Sequence, residues 1–371
     1  MPAKLLTARA LTRMAVASVL LAAPGAAHSA LAEDNAARPA IRSNRWQEDW
    51  SVLANPALRT APYDPIKYIQ LQPGSPQSYV SFGMTLRERF ESLDAASFGI
   101  GGAKPDQHVL QRLQIHADAH LDEHWQLFVQ LEDARAFGKA NIIAVDQNPL
   151  DLRLAFLAYV DATEQGTFKA RVGRQDFDFD LQRFVSSRDG PNVRQSFDAL
   201  WGDWESGSWR FIGFVSRPVQ YNLAHPFDDT SNGRLLFHTF RVERQVLGTN
   251  ELSSYYSYYQ RDDARFLDAA GLEQRHVLDL RFAGKLAGFD WDLEAMGQAG
   301  SVGAKQIRAW GAGARAGYTF AEVSWQPRIG LQLDGASGDR QRGDRAGALL
   351  ALVGALNLPV LYFSVSWWNT L

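Results

Sequence analysis

Residues 108–132 read HVLQRLQIHADAHLDEHWQLFVQLE. In the first half Val109, Leu113, Ile115, Ala117, Ala119 and Leu121 fall on one face of an extended chain. Arg112, Gln114, His116, Asp118 and His120 take the other. After the short link 122–124, Trp125, Leu127, Val129 and Leu131 alternate against Gln126, Phe128, Gln130 and Glu132. Side chains that change face at every residue are the mark of a β-strand, so this stretch is two strands joined by a short turn.

The same period runs outward in both directions. In Tyr79–Glu91, Val80, Phe82, Met84, Leu86 and Phe90 oppose Ser81, Gly83, Thr85, Arg87, Arg89 and Glu91. Similar runs recur near 151–161, 167–175, 193–205, 208–217, 234–243, 251–261, 274–284, 288–298, 305–319, 324–335 and 360–368, about fourteen strands in all. Short links (122–124, 162–166, 206–207, 244–250, 285–287, 320–323) alternate with longer ones (92–107, 136–150, 176–192, 218–233, 262–273, 336–359), the link at 299–304 alone being shorter than that rule. Short periplasmic turns alternating with long external loops, on ten-residue strands with one apolar face, indicate an all-β chain forming an antiparallel transmembrane β-barrel. A soluble β protein is the alternative, but the face repeating Arg, Gln, Asp and Glu suits a wet lumen better than a uniform exterior. Tryptophans near strand ends, among them Trp125, Trp201, Trp204, Trp209, Trp291 and Trp325, fit interfacial girdles.

Composition agrees with export. The 371 residues include no cysteine, which excludes thiolate metal sites, disulfides and Cys nucleophiles. The formal charge of −3 offers no basic surplus for nucleic acid. Lys4, Arg9 and Arg13 precede the apolar run 14–23, which is too short to span a bilayer, and Ala30-Leu31-Ala32 supplies small residues for cleavage. Residues 1–32 are read as a signal peptide, 33–78 as a periplasmic N-terminal arm and 79–371 as the barrel. Pro56, Pro62, Pro65, Pro73 and Pro76 keep 33–78 irregular, and either an arm or a plug under the barrel would fit.

No G-x-S-x-G, H-E-x-x-H, Walker loop or strand-to-helix G-x-G-x-x-G occurs, so no enzyme is expected. His116 and His120 on one strand face are about 13 Å apart, too far to chelate one ion. Asp228-Asp229 and Asp262-Asp263 lie in outer loops where Ca²⁺ could bind; no other cofactor is expected. What remains is a run of inward-facing arginines: Arg87, Arg89, Arg112, Arg153, Arg171, Arg194 and Arg281, accompanied by Asp118, Glu132 and Asp151. Such guanidinium groups either select anions or hold the wall in structural ion pairs.

The densest part of that pattern is the segment 171–200, RVGRQDFDFDLQRFVSSRDGPNVRQSFDAL. Arg171-Val172-Gly173-Arg174-Gln175, Arg183-Phe184-Val185-Ser186 and the run from Arg188 to Asp198 resemble the alginate export family of outer-membrane porins, as do Arg45-Trp46, Asp49-Trp50 and the strand Leu86-Arg87-Glu88-Arg89-Phe90-Glu91. The resemblance covers about 42–345. It implies an eighteen-stranded barrel in the outer membrane, with an electropositive pore through which a polyuronate diffuses. It also implies lipid, barrel-assembly machinery and periplasmic export components as partners. Carried onto this chain, the resemblance implies Arg87, Arg89, Arg171, Arg174, Arg188, Asp189, Asn192, Arg194 and Asp198 as substrate-binding positions, and the alternation adds Arg112 and Arg153. Arg174 has the parity of the lipid face and is assigned to the rim. A general porin for small organic anions or sugars, and a non-conducting adhesin or receptor, are the other readings. Residues 346–371, AGALLALVGALNLPVLYFSVSWWNTL, depart from the family apart from Tyr362-Phe363-Ser364, as a truncation or frame slip would leave them.

Overall fold

The computed structural model describes residues 38–94, 104–183, 185–246, 250–266 and 269–337, with the backbone of 345–346 and 361–366. The signal-peptide segment 1–32 and the last tryptophans lie outside the described residues. The long strands are β2 (Tyr79–Leu93), β3 (Asp106–His120), β4 (Trp125–Phe137), β5 (Asn148–Thr163), β6 (Gly166–Gln175), β7 (Phe197–Ser206) and β8 (Trp209–Gln220), followed by β10 (Leu235–Val246), β11 (Asn250–Arg265), β12 (Ala270–Leu286), β13 (Phe289–Val302), β14 (Lys305–Thr319), β15 (Arg328–Ala336) and β17 (Leu361–Ser366). Three two-residue pieces, β1 (Ile69–Gln70), β9 (Thr230–Ser231) and β16 (Arg345–Ala346), complete the set. The described residues thus hold fourteen long strands, the number read from the alternation, and not the eighteen that the resemblance implies.

Each strand pairs antiparallel with the next, from β2 through β8, across to β10, and on to β15 and β17. This order satisfies the backbone of every interior strand from its two neighbours, the one solution open to strands in lipid. On β3 the predicted apolar face is outward, with Ile115 49% exposed, while Arg112, Gln114, His116 and Asp118 are buried on the other side. On β2, Phe82, Met84, Leu86 and Phe90 are exposed. Exposed apolar rows around a polar interior are the inverse of a soluble core, and hydrocarbon is the solvent that stabilises them.

Two predicted boundaries shift. β7 starts at Phe197 and not at residue 193, because Ser196 N donates to the Tyr221 hydroxyl (2.6 Å) and Gln195 N to Ser187 O (2.7 Å), which takes that backbone out of the strand ladder. The loop read as 262–273 is far shorter: β11 and β12 stay paired to Arg265 and Ala270, past an irregularity between Arg261 and Ala264.

Residues 38–70 pack against the inward face of the sheet. Asp64–Lys67 forms one helical turn, α1, and Trp50, Leu53 and Tyr68 bury against Tyr79 of β2. A Cβ on Gly83 of β2 would lie 2.5 Å from the His116 ring and 2.6 Å from Lys67 Nζ, so this glycine makes room for both side chains. The first segment is therefore an internal plug at the short-turn end.

Replacing Ile115 by Lys is expected to lower barrel stability by about 2–4 kcal/mol, the cost of a cation at mid-bilayer depth. Urea unfolding in lipid vesicles reads this; an unchanged midpoint would mean that the faces are assigned backwards.

Candidate pore constriction

Residues 176–196 leave the wall after β6 and fold into the barrel. Phe177 and Phe179 alternate along the segment and land on inward aromatics: Phe177 stacks on Phe214 of β8 at 4.1 Å, and Phe179 packs on Tyr255 of β11 at 5.6 Å. Phe197, Phe237, Val277 and Met296 extend this apolar patch across β7 to β13. Burying each phenyl ring is worth roughly 1.5–3 kcal/mol. A patch of this kind inside a polar lumen was not foreseen. Its signal was present in phenylalanines standing on faces otherwise read as polar.

Charge then fixes how the segment lies. Asp180 accepts two bonds from Arg241 (2.6 and 2.7 Å) and pairs with Arg281 at 2.7 Å. Arg183 reaches Asp292 (2.7 Å) and Glu294 (3.0 Å) on β13 and Asp334 (3.5 Å) on β15. A Cβ on Gly313 would lie 2.4 Å from Arg183 Nε, so this glycine makes room for the guanidinium against the wall. The other limb turns to the opposite side. Arg87 of β2 donates to Asp189 O (2.9 Å) and Pro191 O (3.0 Å), and Arg89 to Gly190 O (2.6 Å). One segment thus touches β2 and β15, which requires the sheet to curl around it.

The remaining predicted residues fall into four groups. Arg112 and Arg194 flank Asp189 at 2.7 and 3.5 Å, and Arg153 binds Asp176 (2.9 Å) and Ser196 (2.5 Å); these gather round the crossing segment. Arg188 lies at its bend with φ +60° and is half-buried. Asn192 is a fastener: its Nδ2 lies within 2.9–3.1 Å of the carbonyls of Gln111, Arg135 and Asp146. Arg174 pairs with Asp198 at 2.9 Å, two neighbours in register between β6 and β7 and on the outward side, away from the crossing segment.

Arg171 stands apart from all of these. Its guanidinium lies between the rings of Trp46 (4.4 Å) and Trp201 (4.3 Å), with Phe156 at 5.5 Å. It is 6% exposed, and its Nε and Nη1 have no hydrogen-bond partner. Trp201 is therefore a lumen residue and not part of a girdle. Trp46 belongs to the plug, whose Asn44 also accepts from Arg194 at 3.3 Å. Plug, crossing segment and wall enclose a cavity of about 540 Å³ with Arg171, Asp180 and Arg241 in its lining.

The lumen charges are divided between two walls. Beside β2 to β6, Arg87, Arg112, Arg153, Arg171 and Arg194 stand among Asp118, Glu132, Asp176, Asp178 and Asp189. Beside β10 to β15 acids predominate, with Arg183, Arg241 and Arg281 among Asp180, Glu243, Glu251, Asp279, Asp292, Glu294 and Asp334. Arginines and acids are thus interleaved on the first wall, and acids outnumber arginines on the second.

Comparison with known proteins gives two family matches. Residues 329–371 match the family described as Heme exporter protein C. Heme exporter protein C of Bradyrhizobium diazoefficiens is 64% identical over 33 residues, and that of Escherichia coli strain K12 is 52% identical over 33. These stretches are 9% of this chain and 12% and 14% of those relatives, so the chain spans about an eighth of their length. This similarity falls where the sequence departs from its porin pattern. Among solved structures, OccK2 of Pseudomonas aeruginosa is 15% identical at a TM-score of 0.43, covering 70% of this chain and 64% of that one. OccD3 of the same organism is 11% identical at 0.40, covering 76% and 78%. The family described as Alginate export matches residues 78–347, which is most of the chain and includes every strand from β2 to β15. The chain belongs to the alginate export family and is an outer-membrane protein.

Proposed function

We propose that this protein is a porin and passes an acidic polysaccharide, a polyuronate, by passive diffusion along a lumen whose two walls do different work. The observation that carries this reading is the cluster of guanidinium groups around the crossing segment, with Arg171 in the cavity lining holding two unpartnered nitrogens. A uronate ring carries one carboxylate and several hydroxyls. Guanidinium groups complement the carboxylate, and carboxylates such as Glu243 and Glu251 are acceptors for hydroxyls. A chain with both groups on each ring suits a divided lumen better than a simple anion does. Catalysis has no part in this reading.

The plug belongs to the same function. Trp46 stacked on Arg171 occupies the guanidinium face that a sugar would otherwise meet, so passage requires the plug to shift. Cation–π contacts of this kind are worth about 0.5–2 kcal/mol, weak enough to yield to a multivalent polymer.

Two measurements in planar bilayers test this. In Arg87→Gln/Arg171→Gln the anion-to-cation permeability ratio is expected to fall roughly fivefold per charge, from about 1 kcal/mol of interaction at about 4 Å in a water-filled pore. Block by an oligouronate is expected to weaken in parallel; an unchanged reversal potential excludes both residues from selectivity. Trp46→Ala is expected to raise single-channel conductance or open time with the barrel still folded. Conductance equal to the parent would mean that the plug does not gate the pore.

A further inference from the structure

Three carboxylates from distant parts of the chain meet at the long-loop end. Asp151, near the head of β5, lies with Asp228 and Asp229 of the β8–β9 loop, each offering an oxygen within 4.8 Å of the others. Asp151 is 4% exposed, and none of the three forms a salt bridge among the described residues. The nearest compensating cation is Arg174, whose guanidinium is committed to Asp198 and to Leu152 O.

A fourth group points to what is missing. Asn148 is 4% exposed, and its amide abuts the cluster, with Nδ2 donating to Asp229 Oδ2 at 2.7 Å. Its Oδ1 is buried and has no hydrogen-bond partner, and neither has Asp228 Oδ1. A half-turn of the amide exchanges Nδ2 for Oδ1 without moving any other atom, and it presents a carbonyl oxygen to the acids. The donor set is then all oxygen. Oxygens that share one Ca²⁺ ion at about 2.3–2.6 Å each can be no more than about 4.6–5.2 Å apart, and the three carboxylate oxygens here lie within 4.8 Å of one another.

We infer that Asp151, Asp228, Asp229 and Asn148 form a Ca²⁺ site that fastens the β8–β9 loop to the head of β5. The loop is already shaped for it: Asp229 N donates to Asp151 Oδ2 (3.0 Å), Asn222 N to Asp229 Oδ1 (2.9 Å) and Phe227 N to Leu150 O (3.0 Å). Mg²⁺ fits less well, because it demands near-ideal octahedral geometry at about 2.0–2.1 Å and keeps its waters. The second acidic pair read from the sequence is different, since Asp263 already pairs with Arg234 at 2.6 Å.

The test uses the whole chain refolded in lipopolysaccharide-free detergent, titrated calorimetrically with CaCl₂ after EDTA treatment. One Ca²⁺ per chain is expected, with a dissociation constant of about 10⁻⁴–10⁻³ M, the range of extracellular modules. Tenfold-excess Mg²⁺ should fail to displace it. Asp228→Asn/Asp229→Asn should weaken binding at least about tenfold, and Asp262→Asn/Asp263→Asn should leave it unchanged. Protection of the 221–229 loop from protease by Ca²⁺ in the parent chain gives a readout that needs no variant to fold. No stoichiometric Ca²⁺ in the parent, equal affinity in Asp228→Asn/Asp229→Asn, or no loop protection would each overturn the site.

Discussion

A strand in hydrocarbon has no water to satisfy its amides, so the neighbouring strand must do so along its full length. Here that constraint yields a meander in which each strand pairs with its predecessor and successor, often over a dozen residues or more. Everything else hangs on this wall. The alternation that puts Ile115 outward puts Arg112 and His116 inward, and inward positions are the only places where charge can collect.

What collects there is arranged by a competition between pairing and freedom. Most inward guanidinium groups are bound to carboxylates of the crossing segment or of the wall. Arg241 and Asp180 are both at most 5% exposed at the side chain, and such buried pairs set geometry more than they add stability, because desolvation offsets much of the attraction. The favourable term is the aromatic patch beneath, where Phe177 and Phe179 leave water altogether. Apolar contact holds the segment in the barrel, and ion pairs decide which way it lies. Arg171 escapes pairing because tryptophan rings occupy its two faces, which leaves two of its nitrogens buried without a partner in the cavity lining.

Much of this was legible in the sequence. The fourteen strands followed from period-two runs, and most turns followed from the spacing between them, because a lipid-facing row is a one-dimensional pattern. The inward loop and the plug were not legible. A polar face turned inward can meet water or protein equally well, and local sequence does not say which. Phe214, Phe237 and Tyr255 held the clue, but each stands alone on its strand and becomes a patch only when neighbouring strands align. Asn192 read as a substrate contact because it sits in the densest motif, yet its amide is occupied by three backbone carbonyls. Asp151 and Asp229 were unremarkable until 78 residues of chain brought one beside the other.

The partners of Arg183 on β13 stand 109 and 111 residues further along the chain. Contacts of such separation form late, because the intervening loop must close first. The aromatic anchors on β8 and β11 arise earlier and can draw the segment inward while the wall is still growing. Strands β13 and β15 therefore do more than extend the wall: they arrive at an interior already furnished and lock it in place.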